Sequence, residues 1–323
     1  MQLRHLALHA LAAAACLVAV APGAVAQAYP NKPIQLIIAS TPGGGTDAIG
    51  RVLADALSAH FKQTVVPVNR AGAGGTIASE SLVRAPADGY TLMVQQNGHT
   101  TNPALVRKLP YDTFNDFTPI ATLGRAPLVL VAATATGVAN MKDLAALGKR
   151  KAEPLSFGVS EASTRLAAEM ISTATGIPMT AVNYKGTGPA MTDLAGGHVA
   201  FSVTTIASTL GMRGSGKFQY VGVLAAQRTP FLPEVATMAE QGLPEVETGA
   251  WWGLFAPGKL PPALLQTLNT AVRKSMGDAD YKKRVMALSI EPWTGSPEEF
   301  DRFIRKEVEV NLRLAKKAGI EPE

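Results

Sequence analysis

The sequence predicts an α/β protein built from two lobes, and three features of the 323-residue chain support that class. Short apolar runs typical of buried strands alternate with amphipathic, helix-like segments along the whole chain. A unit of strand, glycine-rich turn and helix occurs twice within residues 34–84. Two later apolar runs, at 128–132 and 251–256, have the character of strands on which the chain crosses between lobes.

The first unit of strand, glycine turn and helix covers residues 34–60. Residues 34–39 form a buried strand and 42–45 a glycine turn, and apolar residues at 49, 52, 53, 56 and 57 mark one face of a helix ending near His60. The same criteria predict further strands at 65–68, 91–94, 128–132, 155–159, 180–184, 201–204, 220–224 and 251–256. They predict helices at 76–84, 164–173 and 189–195, and a helical tail over 261–318 interrupted at 277 and near 292–297.

The two crossings divide the chain into lobes. The first crossing, at 128–132, leads out to the second lobe, and 251–256 is expected to be the return. We therefore expect residues 27–126 and 251–323 to form lobe one and residues 127–250 to form lobe two. One lobe is built from both termini and the other from the middle of the chain, with a central cleft between them.

Residues 1–26 have the pattern of a cleaved signal peptide. One basic residue, Arg4, precedes eleven small or apolar residues at 10–20, and Ala24-Val25-Ala26 fits the cleavage rule. The apolar run is shorter than the roughly 20 residues that span a bilayer. Cys16 raises the alternative of a lipoprotein, although cleavage there would leave an apolar tail. The sequence therefore predicts an exported protein whose mature chain lacks cysteine.

The charge balance argues against a nucleic-acid partner. Of the 30 Lys and Arg residues, 29 remain after residue 26, against 25 Asp and Glu, which gives a mature net charge of +4. The densest basic spots, 273–274 and 282–284, lie on predicted helices that also carry acids. This is the pattern of a solvated helix face, so we expect no nucleic-acid binding.

The turn Pro42-Gly43-Gly44-Gly45-Thr46-Asp47 is the most informative motif. It joins a buried strand to the start of a helix, where unpaired N–H groups and the positive end of the dipole favour an anion. Glycines allow a ligand to approach the backbone closely. The alternative is a plain turn capped by Thr46 or Asp47. The spacing G-x-G-x-x-G of dinucleotide-binding proteins is absent.

Two motifs resemble catalytic or nucleotide sites but lack essential residues. Residues 211–217 have the spacing G-x-x-x-x-G-K, but Phe218 stands where a magnesium-binding Ser or Thr is required. Residues 158–162 nearly match the esterase pattern G-x-S-x-G around Ser160, yet only His99 among the mature histidines is expected in a turn near a cleft. The histidines also lack metal-ligand spacing. We therefore expect no enzyme activity, no metal and no cofactor.

Several polar and aromatic residues leave two interpretations open. Ser160 and Ser163 are either helix caps or hydroxyl donors to a ligand at a helix start. Arg165, in the first turn of the same helix, is either an exposed arginine or a bidentate clamp for a carboxylate. Trp251 and Trp252 are either packing residues or part of a cleft wall.

Nine stretches of the chain together resemble the receptors of tripartite tricarboxylate transporters, often called the Bug family. They run in order through nearly the whole mature chain. The stretches are YPNKPI at 29–34, PGGGTD at 42–47, NRAGAGG at 69–75, PADGYTL at 86–92, NPAL at 102–105, LPYD at 109–112, NYKGTGPA at 183–190, DLAGG at 193–197 and WGLFAPG at 252–258.

The resemblance implies a type II periplasmic-binding-protein fold with a ligand held in the central cleft. It assigns the ligand carboxylate to the first glycine turn and the remainder to turns of both lobes. The residues implicated are Gly44, Gly45, Thr46, Asp47, Asn97, His99, Ser160, Ser163, Thr164, Tyr184, Lys185 and Gly186. Arg165 joins these candidates because of its own chemistry. The chain departs from the family pattern at 159–163, and at Arg165, where a histidine is common.

These observations lead to one functional expectation with two alternatives. The protein is expected to be a monomeric solute-binding protein that delivers a small carboxylate, in particular a dicarboxylate, to integral-membrane transporter subunits. Arg165 at a helix start, with Lys185 on a neighbouring turn, motivates the second carboxylate. The alternatives are a ligand sensor for a signalling kinase and a serine-type esterase.

Overall fold

A mixed sheet of ten strands runs through the described part of the chain. The computed structural model describes residues 29–150, 153–160, 162–317 and 320–322, and the predicted signal peptide lies outside them. All ten strands belong to the compact unit Lys32–Glu323. Strands β1 to β10 cover Ile34–Ile38, Val65–Asn69, Thr91–Gln96, Phe117–Ala133, Leu155–Val159, Met179–Asn183, Phe201–Thr205, Phe218–Val223, Gly249–Pro257 and Glu291–Pro292.

The long strand β4 joins two sections of this sheet. Residues 117–127 of β4 pair antiparallel with β9, which continues through β3 to β1 and β2. Residues 128–133 pair antiparallel with β7 and β8, and β7 continues through β5 to β6. We call these groups, each together with the helices and loops that connect its strands, the first section and the second section. The predicted strand at 128–132 is therefore the second half of a 17-residue strand.

Strand β9 contains the run that the sequence predicts as a strand at 251–256. Residues 251–256 were expected to return the chain to lobe one, and β9 pairs with β3 and with residues 117–127 of β4. The strand therefore lies in the first section along its whole length, and the chain returns before Gly249. Apolar content identified the strand, whereas its partners depend on the tertiary fold.

Ten α-helices cover the faces of the described sheet or extend its edges. Helices α1 to α10 span Gly45–Phe61, Thr76–Val83, Gly98–Leu105, Met141–Arg150, Ala162–Thr175, Thr187–Gly196, Ile206–Thr209, Pro262–Gly277, Ala279–Ala287 and Pro297–Lys317. The predicted interruptions of the tail are confirmed, because α8 ends at Gly277 and α10 begins at Pro297. Helix α3 was not predicted, since it is polar and contains Pro103.

Each section has its own apolar core. The first is rich in aromatic residues, with Phe255 and Phe300 fully buried and Trp251 packed edge-on against Phe300. The second includes a cluster of aliphatic residues with Val129 and Met191, and the buried, stacked rings of Phe157 and Phe201. Among the described residues, no helix has both the length and the apolar character needed to cross a bilayer.

Candidate functional site

The glycine turn places the first backbone amides of α1 at a small cavity. Gly43 has a φ of 84°, a conformation that favours glycine, and Gly44 precedes the helix with extended φ and ψ of −80° and 166°. The first intrahelical hydrogen bond runs from Ala48 N–H to the Gly44 carbonyl, 3.0 Å away. The amides of Gly45 to Asp47 therefore have no intrahelical acceptor.

The capping alternative from the sequence is not what the structure shows. Gly44 is the N-cap, and no side chain caps the helix there. The hydroxyl of Thr46 accepts a hydrogen bond from the fully buried Trp252 Nε1 at 3.0 Å. Trp252 is therefore a packing residue that holds the first turn of α1 against the sheet, and Trp251 packs against Phe300.

The Asp47 side chain is hydrogen-bonded to the glycine turn and to two neighbouring side chains. Its carboxylate accepts hydrogen bonds from Gly43 N–H at 3.0 Å, Arg51 Nε at 3.0 Å and Asn69 Nδ2 at 2.8 Å. Burial raises the pKa of this carboxyl, but the hydrogen bonds from Arg51, Asn69 and Gly43 outweigh burial and hold the pKa below its ordinary value. The ionised side chain thus fixes the shape of the glycine turn.

The cavity lies where the two sections meet and has a volume of about 10 Å³. Its polar side chains are all neutral hydroxyls or an amide. The lining residues are Ser40, Gly44, Gly45, Thr46, Gln96, Leu128, Thr164, Thr187, Thr204, Thr205 and Ser208. Four of these, Gly44, Gly45, Thr46 and Thr164, are among the site residues expected from the sequence.

The seven other lining residues were missed, although the sequence held a signal for most of them. Ser40 follows β1, Gln96 ends β3, and Thr204 and Thr205 end β7. In open α/β sheets ligands collect at the carboxyl ends of the strands. Applying this rule to every predicted strand, instead of only to the glycine-rich turns, would have indicated these positions.

The expected residues at the start of α5 lie beside the cavity. Ser160 N–H donates to Thr164 Oγ1 at 3.2 Å, and the Ser160 hydroxyl lies 3.2 Å from that of Thr187. Ser163 is buried and Arg165 half-buried, and Arg165 interacts with another part of the chain. Glu161 lies outside the described residues.

In the turn before α6, Gly186 contacts the opposite section. The Tyr184 hydroxyl donates to Asp193 at 2.7 Å, and burial together with that carboxylate raises the pKa of Tyr184 to about 12. Lys185 is exposed. Gly186 is buried directly against Thr41 of the first section.

Asn97 and His99 make their described contacts with the protein itself. Asn97 Nδ2 donates to the Gly249 carbonyl at 2.8 Å, and Trp251 N–H donates to Asn97 Oδ1 at 2.9 Å. His99 lies in α3, not in a turn, and its ring packs 4.7 Å from Phe117 and 4.5 Å from Phe255. Burial lowers the pKa of His99 from 6.5 to about 4, so the ring is neutral at physiological pH.

Sequence comparison places the chain in a family. Residues 49–320 match the family TctC, described as the tripartite tricarboxylate transporter family receptor. Protein BugT of Bordetella pertussis strain Tohama I is 31% identical over 298 residues, which are 91% of each chain. This chain belongs to the tripartite tricarboxylate transporter receptor family.

Solved structures agree with this receptor in fold. Rpa4515 of R. palustris, solved with adipate, superposes with a TM-score of 0.88 at 33% identity, covering 91% of this chain and 100% of that one. The periplasmic binding protein BugD gives 0.87 at 30% identity, with coverages of 91% and 100%. MatC of Rhodopseudomonas palustris, solved with malate, gives 0.84 at 27% identity, with coverages of 88% and 99%.

These matches confirm two predictions made from the sequence. The chain has the two-lobed fold of periplasmic binding proteins. It is a solute-binding receptor, the class to which its family belongs. Within the described residues, no group of His, Cys, Asp and Glu side chains is positioned to hold a metal ion.

Proposed function

We propose that this receptor binds a small dicarboxylate between its lobes in the periplasm and delivers it to integral-membrane subunits of a tripartite tricarboxylate-type transporter. The lobes are residues 27–126 with 251–323, and residues 127–250. The observation that carries the proposal is the cavity between the sections, where Gly44, Gly45 and Thr46 present the start of α1.

The neutral groups around the cavity can hold an anion. Backbone N–H groups at a helix start point toward the ligand, and the helix dipole adds a partial positive charge. Hydroxyls from the second section, among them Thr164 and Thr187, face the same space and supply further donors. Fixed dipoles interact more strongly with a carboxylate in a site from which water is excluded than in bulk water.

Two observations favour a ligand with a carboxylate at each end. The family members solved with adipate and with malate both hold dicarboxylates. In this chain Arg165 follows the cavity-lining Thr164 in the first turn of α5. A guanidinium there can make a charge-assisted, bidentate contact with the distal carboxylate.

The experiment is calorimetry with adipate and hexanoate, two acids of equal length that differ by one carboxylate. Gly44→Val should abolish binding of both acids, because its side chain would stand where the carboxylate meets the backbone. The fold should survive, since Gly44 has ordinary φ and ψ and an added Cβ would lie 3.6 Å from its nearest neighbours. Gly211→Val is the control, as a Cβ there meets nothing within 4 Å.

Arg165→Ala tests the second carboxylate in the same assay. We expect adipate to lose at least about tenfold in affinity, or roughly 1.4 kcal/mol, while hexanoate changes little. Arg213→Ala is the matched control, because Arg213 is a partly exposed arginine of the second section that pairs with Glu234 at 3.6 Å. Equal losses for the two acids, or no loss for either, would remove Arg165 from the site. Wild-type affinity in a folded Gly44→Val protein would place the ligand elsewhere.

A further inference from the structure

One amide of the proposed carboxylate site is already bonded to the second section. Gly45 N–H donates to Ser208 Oγ at 3.2 Å. Ser208 is held in turn by Thr205, which ends β7: the two hydroxyls lie 2.9 Å apart, and Ser208 N–H donates to Thr205 Oγ1 at 3.3 Å. A hydroxyl oxygen of the chain therefore occupies the position at which a ligand oxygen would meet Gly45.

Glycines allow the two sections to approach this closely. A Cβ on Gly45 would lie 2.9 Å from Thr205 Oγ1, although Gly45 has helical backbone that any residue adopts. A Cβ on Gly186 would overlap the hydroxyl of Thr41, although Gly186 is extended with φ 173°. Neither glycine is required by its own backbone conformation, so their small size serves the contact between sections.

The cavity at these contacts is small. A cavity of about 10 Å³ is near the lower limit for one water molecule, whereas ligand sites typically measure about 300–1,000 Å³. A ligand oxygen can therefore reach the Gly45 amide only after the Ser208 hydroxyl leaves it.

We propose that Ser208 is an autoinhibitory contact: its hydroxyl takes the place of a ligand oxygen on Gly45 and holds the two sections together. This inference rests on the proposed function. The apparent dissociation constant equals the intrinsic one divided by the fraction of receptor that is open. The Ser208 contact lowers that fraction, so it weakens the binding of every ligand by one common factor.

The first test uses ligand-free protein and needs no knowledge of the ligand. Hydrogen exchange of the Gly45 amide, followed by NMR, should be slow in the wild type because Ser208 accepts its hydrogen bond, and no acceptor within α1 can protect it instead. Ser208→Ala and Gly186→Ala should each accelerate it about two- to tenfold, the factor that one neutral hydrogen bond is worth. Ser215→Ala, an exposed serine of the same section, is the control. Exchange at the wild-type rate in either variant overturns the proposal.

The second test measures affinity for adipate and malate. Ser208→Ala should tighten both by the same factor, roughly two- to tenfold, because it removes a competitor common to all ligands. A weaker affinity in Ser208→Ala would identify Ser208 as a ligand contact and overturn the inference. If the wild type bound no carboxylate at all, the proposed function would fail, while the exchange experiment would still decide the role of Ser208.

Discussion

Replacing Asn97 by alanine should destabilise the fold, because its amide joins the end of β3 to the start of β9. Asn97 is 5% exposed and makes two hydrogen bonds with backbone groups, donating to the Gly249 carbonyl at 2.8 Å and accepting from Trp251 N–H at 2.9 Å. Residues 97 and 249–251 lie far apart in the sequence but meet beside the point where β4 passes between sections.

The expected loss in the free energy of unfolding follows from the surroundings of Trp251 N–H and the Gly249 carbonyl, the two groups bonded to Asn97. Trp251 N–H is buried, and leaving such a donor without an acceptor costs about 1–3 kcal/mol. Gly249 is exposed, so water can replace the lost donor and only the net value of a hydrogen bond, about 0.5–1.5 kcal/mol, disappears. Together these contributions predict a decrease of roughly 3 kcal/mol in the free energy of unfolding.

The assay is urea unfolding followed by circular dichroism, with the midpoint compared at constant slope. Asn115→Ala is the matched control: Asn115 is exposed and donates to Asp112 at 2.8 Å, so its loss should cost under about 0.5 kcal/mol. If the two variants unfolded alike, the bridging role of Asn97 would be refuted. Weaker adipate binding at unchanged stability would instead support the ligand contact that the family resemblance implies.

Two further predictions concern the core of the first section. As pH falls from 6.5 to about 4, the wild type should lose roughly 3 kcal/mol more stability than His99→Leu. The pKa of His99 is lower in the folded chain than in the unfolded chain, so only the unfolded chain binds the proton in this pH range. Parallel pH profiles of the two proteins in urea titrations would contradict the prediction. Gly253→Ala should cost about 1–3 kcal/mol, because the added Cβ would lie 2.7 Å from Phe300 Cε1 and overlap the rest of the ring. Gly211→Ala, in open space, should unfold like the wild type in the same titration.

The sequence predicts those parts of the candidate site that depend only on residues adjacent along the chain. The run Gly43 to Gly45 after an apolar strand indicates a turn, free amides and an anion site before any fold is known. Thr205 and Ser208 carry no such local signal, because a hydroxyl after a strand is common. They reach the cavity because β7 ends opposite the start of α1, and that placement depends on strand pairing across β4.

The contacts of Asn97 and His99 also depend on the tertiary fold and could not be predicted from the sequence. Both are polar residues in a segment that resembles a ligand-binding loop of the family, and the sequence offers no distinction between facing a ligand and facing the protein. The structure gives Asn97 two backbone partners on β9 and surrounds His99 with phenylalanines.

The sequence by itself determined the α/β class, most strands, the glycine turn at α1 and the family, because periodicity, turn chemistry and motif order are written along the chain. Only the tertiary structure decided that β9 stays in the first section, that Ser208 takes the Gly45 amide, and that the cavity is reduced to about 10 Å³. These features arise between residues distant in sequence. Their energies depend on which groups the fold brings within about 3 Å, and no local pattern encodes that distance.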